Sequence, residues 1–290
     1  MPVYKQTYRT YEGEARPWFR WATMIGQELR VLFQSWTFRG LFGLGALHIL
    51  FRVLQVFSYD TVQSNPESPL AALPQLMAAL TVNERMFFDF IRLQSPIVFL
   101  VTIMAGSGMI CNDFRFNLVE IYFSKPLTWR DYVLGKTCAL GLVGLLLTAI
   151  PGVFLLVLHN MFLPGWENLR TTAPWGVSVV AFSFILVAPC TLGVLAGSAL
   201  LRSRRFAGIA VFMLLFGNLT IGTILPEVLH ERNYLVIALP MAINHVGQHL
   251  FHQRRLIFDL RWQWSAVYIG VVCLFALMII CWRARRAEIG

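Results

Sequence analysis

Six long apolar stretches divide the chain, roughly Gly40–Phe57, Phe87–Cys111, Val133–Leu158, Trp175–Leu201, Phe206–Leu225 and Ser265–Trp282. A helix needs about 20 apolar residues to cross a bilayer core. Lipid offers no hydrogen bonds, so the backbone of such a run must satisfy itself, which a helix does. The pattern therefore predicts an all-α integral membrane protein with six transmembrane helices. The first stretch is the least regular, because His48 and Arg52 interrupt it.

A different period precedes it. At 100° per residue, Trp18, Trp21, Ala22, Ile25, Leu29, Leu32, Phe33 and Trp36 fall within a stripe of about 120°. Arg20, Gln27, Arg30 and Gln34 lie opposite. Such a helix rests in the membrane interface rather than crossing it. Two connecting segments are long. Ser58–Met86 holds Pro66, Pro69 and Pro74, which predicts a broken loop with a short helix near Leu76. Within Pro226–Trp264, the stretch Tyr234–Phe251 is moderately apolar but carries Pro240, Asn244, His245, Gln248 and His249. It is expected to form an outer helical hairpin between spans 5 and 6, at about 226–264, resting on or dipping into one leaflet. A seventh span there would move Arg283, Arg285 and Arg286 to the wrong face.

Composition agrees with the pattern. Of 290 residues, 57% are hydrophobic and 13% charged, and the mean hydropathy is +0.62. Soluble domains carry about 25% charged residues, so a soluble enzyme and a disordered chain are both excluded. The net charge of +9 would suggest nucleic acid in a soluble protein; here it orients the chain. With the N-terminus in the cytoplasm, sixteen Lys and Arg fall inside and seven outside. The positive-inside rule selects N-in, C-in. On that topology the cytoplasmic face carries the whole +9 and the remainder is neutral. No tryptophan falls mid-span, as an aromatic belt requires. The first 37 residues lack an apolar core and are not expected to be a signal peptide. The expected organisation is a cytoplasmic arm with the interfacial helix (1–37), a six-span domain (38–285) and a cytoplasmic tail (286–290), in a bacterial inner membrane. The five cysteines are odd in number, form no CxxC and lie in or beside apolar runs, which favours small apolar packing over disulfides or zinc.

The chain carries no nucleotide loop. Leu134-Gly135-Lys136-Thr137 ends like a Walker A motif, but Arg130 stands where the earlier glycine is needed, and the stretch leads into a span. Any ATP-driven function needs a separate subunit.

The most informative stretch joins spans 2 and 3, from Cys111 to Lys136. A short helix carries Glu120, with Leu118, Ile121 and Tyr122 available for contact, and Ser124-Lys125-Pro126 ends it. Thr128 and Asp131 are spaced as a capping box for the next helix, which runs into span 3. A short helix so connected is suited to passing a push to two spans. The stretch resembles the signature of the membrane subunits of ABC transporters of the ABC-2 type. That signature has an acidic residue, then Gly-Thr-Leu-Glu, an apolar run ending in Ser-x-Pro-x-[Ser/Thr]-Arg, and Gly-Lys leading into span 3. Asp113, Glu120, Ser124, Pro126, Thr128, Arg130, Gly135 and Lys136 match in order and spacing, while Asn117 stands at the usual Gly and Leu118 at the usual Thr. The resemblance extends to the interfacial helix, six spans and outer hairpin. It implies that about 113–125 is a coupling helix seated in an ATPase subunit, with Asp113, Asn117, Glu120, Ser124, Lys125, Pro126 and Arg130 as coupling residues.

Other features have two readings each. Gly144 and Gly152 in span 3, and Gly193 and Gly197 in span 4, let backbones approach, within the bundle or at a subunit interface. Arg52 either snorkels outward or, with His48 one turn away, lines a pathway. Asp89 and Arg92 are spaced to pair. His245, His249 and His252 share a helical spacing that suits a metal, but no cysteine or carboxylate stands among them, so no metal site is assigned. The expected function is the permease subunit of an ABC exporter for an amphipathic, lipid-linked or drug-like substrate. Its expected partners are two ABC ATPase subunits, a second permease copy or paralogue, and membrane lipid, but no nucleic acid. The chain itself is expected to bind no cofactor and to be no enzyme; ATP and Mg2+ belong to the partner. The alternatives are a polytopic lipid-modifying enzyme and a non-transporting anchor or sensor subunit.

Overall fold

In the computed structural model, residues 20–64, 80–124, 127–162, 165–253 and 260–289 are described. Trp18, the short helix expected near Leu76, Lys125 and Pro126 lie outside them. The described elements are helical: α1 (Arg20–Gln34), α2 (Trp36–Ser64), α3 (Glu84–Gly106), α4 (Cys111–Arg115), α5 (Leu118–Phe123), α6 (Trp129–Leu147), α7 (Ala149–Phe162), α8 (Trp166–Leu200), α9 (Arg204–Leu229), a 3-10 turn (Arg232–Ile237), α10 (Leu239–Leu250) and α11 (Trp262–Ile289). Among the described residues, six continuous or nearly continuous helices are long and apolar enough to cross a membrane: Trp36–Ser64, Glu84–Arg115, Trp129–Phe162, Trp166–Leu200, Arg204–Leu229 and Trp262–Glu288. They coincide with the six stretches expected from the pattern. Each runs past them into more polar sequence, because the helix persists where hydropathy has already fallen.

Two breaks have clear causes. Between α6 and α7, Thr148 leaves helical geometry (φ −125°, ψ −74°). Pro151 has no N–H to give the preceding turn, and its ring crowds that turn. Thr148 Oγ1 donates to Gly144 O at 2.9 Å and ties the break down. Between α3 and α4, Ser198 of α8 does the equivalent work. Its hydroxyl accepts from the backbone N–H of Ile110 (3.1 Å) and Cys111 (3.0 Å) and donates to Ser107 O (2.9 Å). A buried polar link between spans contributes on the order of 1 kcal/mol.

Helices α3 and α8 form the interior, and α8 packs against α3, α6, α7, α9, α10 and α11. Gly144 and Gly152 lie where Val187 and Val179 of α8 arrive: a Cβ at either would stand 2.8 Å or 2.6 Å from a valine methyl. Gly197 likewise receives Val211 of α9, whereas Gly193 meets nothing within 4 Å. Three of the four small residues thus serve packing within the chain. The hairpin region is inserted rather than superficial. Ala242, Ile243, His245, Val246 and Gly247 of α10 are buried, and the Phe251 ring packs tilted against Phe88 and edge-to-face against Phe182. By contrast, α2, α9 and α11 present open apolar faces, among them Leu47, Phe51, Met213, Leu214, Leu274 and Phe275. Faces of this extent belong against lipid or another membrane chain. The described cysteines are all unpaired.

Candidate functional site

Polar side chains gather at the two ends of the bundle. At the α1 end, α4 and α5 form the segment between the second and third spans. They are separated by Asn117, whose φ of 54° is left-handed. Glycine reaches that conformation freely and asparagine is among the few other residues that adopt it readily, so Asn117 performs the turn for which a glycine is otherwise suited. Thr128 and Asp131 form the reciprocal capping box that starts α6. Between them, Arg115, Phe116, Asn117, Glu120, Ile121, Ser124 and Arg130 are exposed. Phe116 is 62% and Ile121 55% accessible, an apolar pair on an otherwise polar end. Arg130 lies over the Trp129 ring at 5.4 Å.

Directly beneath is a charge cluster. Lys136 is 1% exposed, and its ammonium lies 2.5 Å from Glu28 Oε1 of α1 and 2.6 Å from Asp113 Oδ2 of α4. It also donates to Met109 O at 3.0 Å. The three N–H donors of the ammonium are thereby engaged. Tyr132 donates to the same Asp113 oxygen at 2.8 Å, and the ammonium lies 5.5 Å and 5.8 Å from the Tyr132 and Tyr122 ring centres. Burial pushes the Tyr122 phenol above its ordinary value, against the opposing pull of Lys136. One lysine therefore ties the amphipathic helix, the end of the second span, and the third span together under α5.

At the far end, Asp60 of α2 is fully buried and both its oxygens lie 2.9 Å from His159 Nδ1 of α7. The imidazole stacks on Trp175, whose indole donates to Glu84 at 2.8 Å. Beside them opens a cavity of about 860 Å³ lined by Glu84, Arg85, Asp89, Arg92, Trp175 and Gln248 among others. Asp89 pairs with Arg92 at 3.8 Å, the spacing expected, and with Arg85 at 3.6 Å.

The remaining candidates separate. His48 meets Gln94 Oε1 of α3 at 2.5 Å and stacks on Phe90, and Gln94 returns to Gly45 O. Arg52 donates to Gln55 one turn on at 2.7 Å. The two side chains do not hydrogen-bond to each other. The three histidines do not converge either. His245 faces Ser265 Oγ at 2.8 Å, His249 stacks on Trp262, and His252 lies beyond α10 with φ 46°. Burial pushes the His245 imidazole below its ordinary value, and His249 pushes the same way. Among the described residues no three His, Cys, Asp or Glu side chains gather as a metal would require.

Sequence reasoning missed the partners rather than the positions. Asp113 and Lys136 stood out by motif, but Glu28 sits 108 residues from Lys136 and looks like any charge on an interfacial helix. Asp60, His159 and Gln94 carried one usable signal, a polar residue inside or at the end of an apolar run, which in a span asks for a partner.

Six membrane-length helices, joined by polar clusters that clamp them to one another, make this a multi-pass helical membrane protein. Residues 22–254 match the family described as ABC-2 family transporter protein, and the chain belongs to that family. It is a permease of the ABC transporter class. No curated protein matches it.

Proposed function

We propose that the chain is the membrane subunit of an ABC exporter in a bacterial inner membrane, with both termini in the cytoplasm and α1 lying in the inner interface. On this reading α4 and α5 are the coupling segment. A separate ATPase subunit, which holds ATP and Mg2+, seats on the exposed face bearing Phe116, Glu120 and Ile121. The observation that carries the proposal is the Glu28–Lys136–Asp113 cluster. Displacement of α5 has a stiff path into α1, α4 and α6 at once, as a subunit driven from outside its own chain requires. Two such chains, or this chain and a paralogue, would join through the open apolar faces of α2, α9 and α11, and two ATPases would drive them. An amphipathic, lipid-linked or drug-like cargo is supported by an apolar cavity of about 530 Å³ between α3, α8, α9 and α10, lined by Phe99, Leu186, Phe212 and Ile243 among others.

The test is affinity purification from native membranes. Wild-type protein is expected to bring down an ATPase. Glu120→Arg, which reverses a charge on the exposed face, is expected to reduce the copurified ATPase activity at least about tenfold, the effect of losing about 1.4 kcal/mol of docking free energy. Arg285→Gln, in the last turns of α11, is expected to leave it unchanged. Wild-type protein that captures no ATPase defeats the proposal.

A further inference from the structure

A second cavity, of about 490 Å³, lies at the α1 end between α1, the start of α2, the inner part of α3, and α4. This is within the range of about 300–1,000 Å³ usual for ligand sites. Its apolar lining includes Val31, Leu32, Phe38, Met104 and Met109. Its polar lining includes Gln27, Asn112 and Arg204. Gly108 also lines the cavity. A Cβ there would stand 2.9 Å from Asn112 Nδ2 and 3.0 Å from Arg204 Cδ, so the Asn112 amide and the aliphatic stem of Arg204 pack directly on one bare Cα.

The charges decide what fits. The cavity's two carboxylates, Glu28 and Asp113, are both held on Lys136. Arg204 uses one of its donors on Met104 O at 3.1 Å and is otherwise exposed. Arg202, in the three-residue link between α8 and α9, and Arg205, in the first turn of α9, flank it and are both exposed. A guanidinium beside an amide N–H presents a phosphate with several donors. Basic groups at the ends of spans favour anionic lipid.

We infer that this cavity binds one anionic phospholipid of the leaflet at the α1 end, its phosphate at Arg204 and Asn112 and an acyl chain along Val31, Phe38 and Met104. The occupant is a lipid rather than a soluble anion because the greater part of the wall offers only hydrocarbon contact. The inference does not depend on an ATPase docking nearby, so each stands or falls separately.

The experiment is native mass spectrometry of the delipidated full-length protein with equimolar phosphatidylglycerol and phosphatidylcholine. The first phosphatidylglycerol is expected to bind about five- to tenfold more tightly, because its headgroup is net anionic beside Arg204, whereas the choline cation of phosphatidylcholine offsets its phosphate. Arg204→Gln should abolish that preference. Gly108→Val, whose side chain would displace Asn112 and the Arg204 stem, should weaken the first lipid of either kind. Arg285→Gln should retain the wild-type preference and so exclude general charge. Equal binding of the two lipids overturns the inference, as does a preference that survives Arg204→Gln. Displacement of the lipid by glycerol 3-phosphate at comparable concentration overturns it as well, in favour of a site for soluble phosphate.

Discussion

Lys136→Met is expected to destabilise the protein by about 3–5 kcal/mol, the usual cost of removing one partner from a buried ion pair. Methionine fills most of the lysine volume, so packing is nearly conserved and the loss is electrostatic. Glu28 and Asp113 would then face each other without the ammonium that lies 2.5 Å and 2.6 Å from them. Tyr132 can still donate to Asp113, but a phenol carries no charge to offset two carboxylates. The measurement is denaturation of the purified protein in detergent. The double variant Lys136→Met with Glu28→Gln should recover part of the loss, because it removes a charge the single variant strands. If the single and double variants lose stability equally, the cluster is not acting as a coupled unit.

His159→Phe should produce a loss of similar size at the other end. Asp60 is fully buried and both its oxygens rest on the imidazole. Phenylalanine preserves the stack on Trp175 but offers the carboxylate nothing. The expected cost is again about 3–5 kcal/mol. Asp60→Asn, which keeps an acceptor for the ring and abolishes the buried charge, should cost less, about 1–2 kcal/mol. The ordering is the test: His159→Phe unfolds first, Asp60→Asn second, wild type last. The reverse order would show that the pair contributes through shape rather than charge.

What the sequence made legible follows from the range of the forces involved. The six spans are local, since apolar runs of sufficient length can satisfy their backbone only as helices. The Thr128–Asp131 box is local too, and so is the turn at Asn117, where the structure shows the left-handed backbone that the departure from glycine left open. The polar clusters are not local. Lys136 finds Glu28 across 108 residues, and His159 finds Asp60 across 99. No periodicity encodes such a meeting, which depends on how helices rotate and slide. The histidines illustrate the reverse error. Their spacing suggested one face, but α10 ends before His252 and the two within it turn to Ser265 and Trp262. Glycine spacing was equally indifferent to context: Gly197 receives Val211 while Gly193, one turn away, meets nothing.

The central claim is that a separate ATPase seats on α5. A photo-crosslinking amino acid at Ile121, which is 55% exposed on that helix, tests it most directly in native membranes. The account predicts an adduct whose partner carries a Walker A sequence, formed at position 121 and not with the same probe at Trp166, 82% exposed at the opposite end. No ATPase adduct at 121, or equal adducts at both positions, would contradict it.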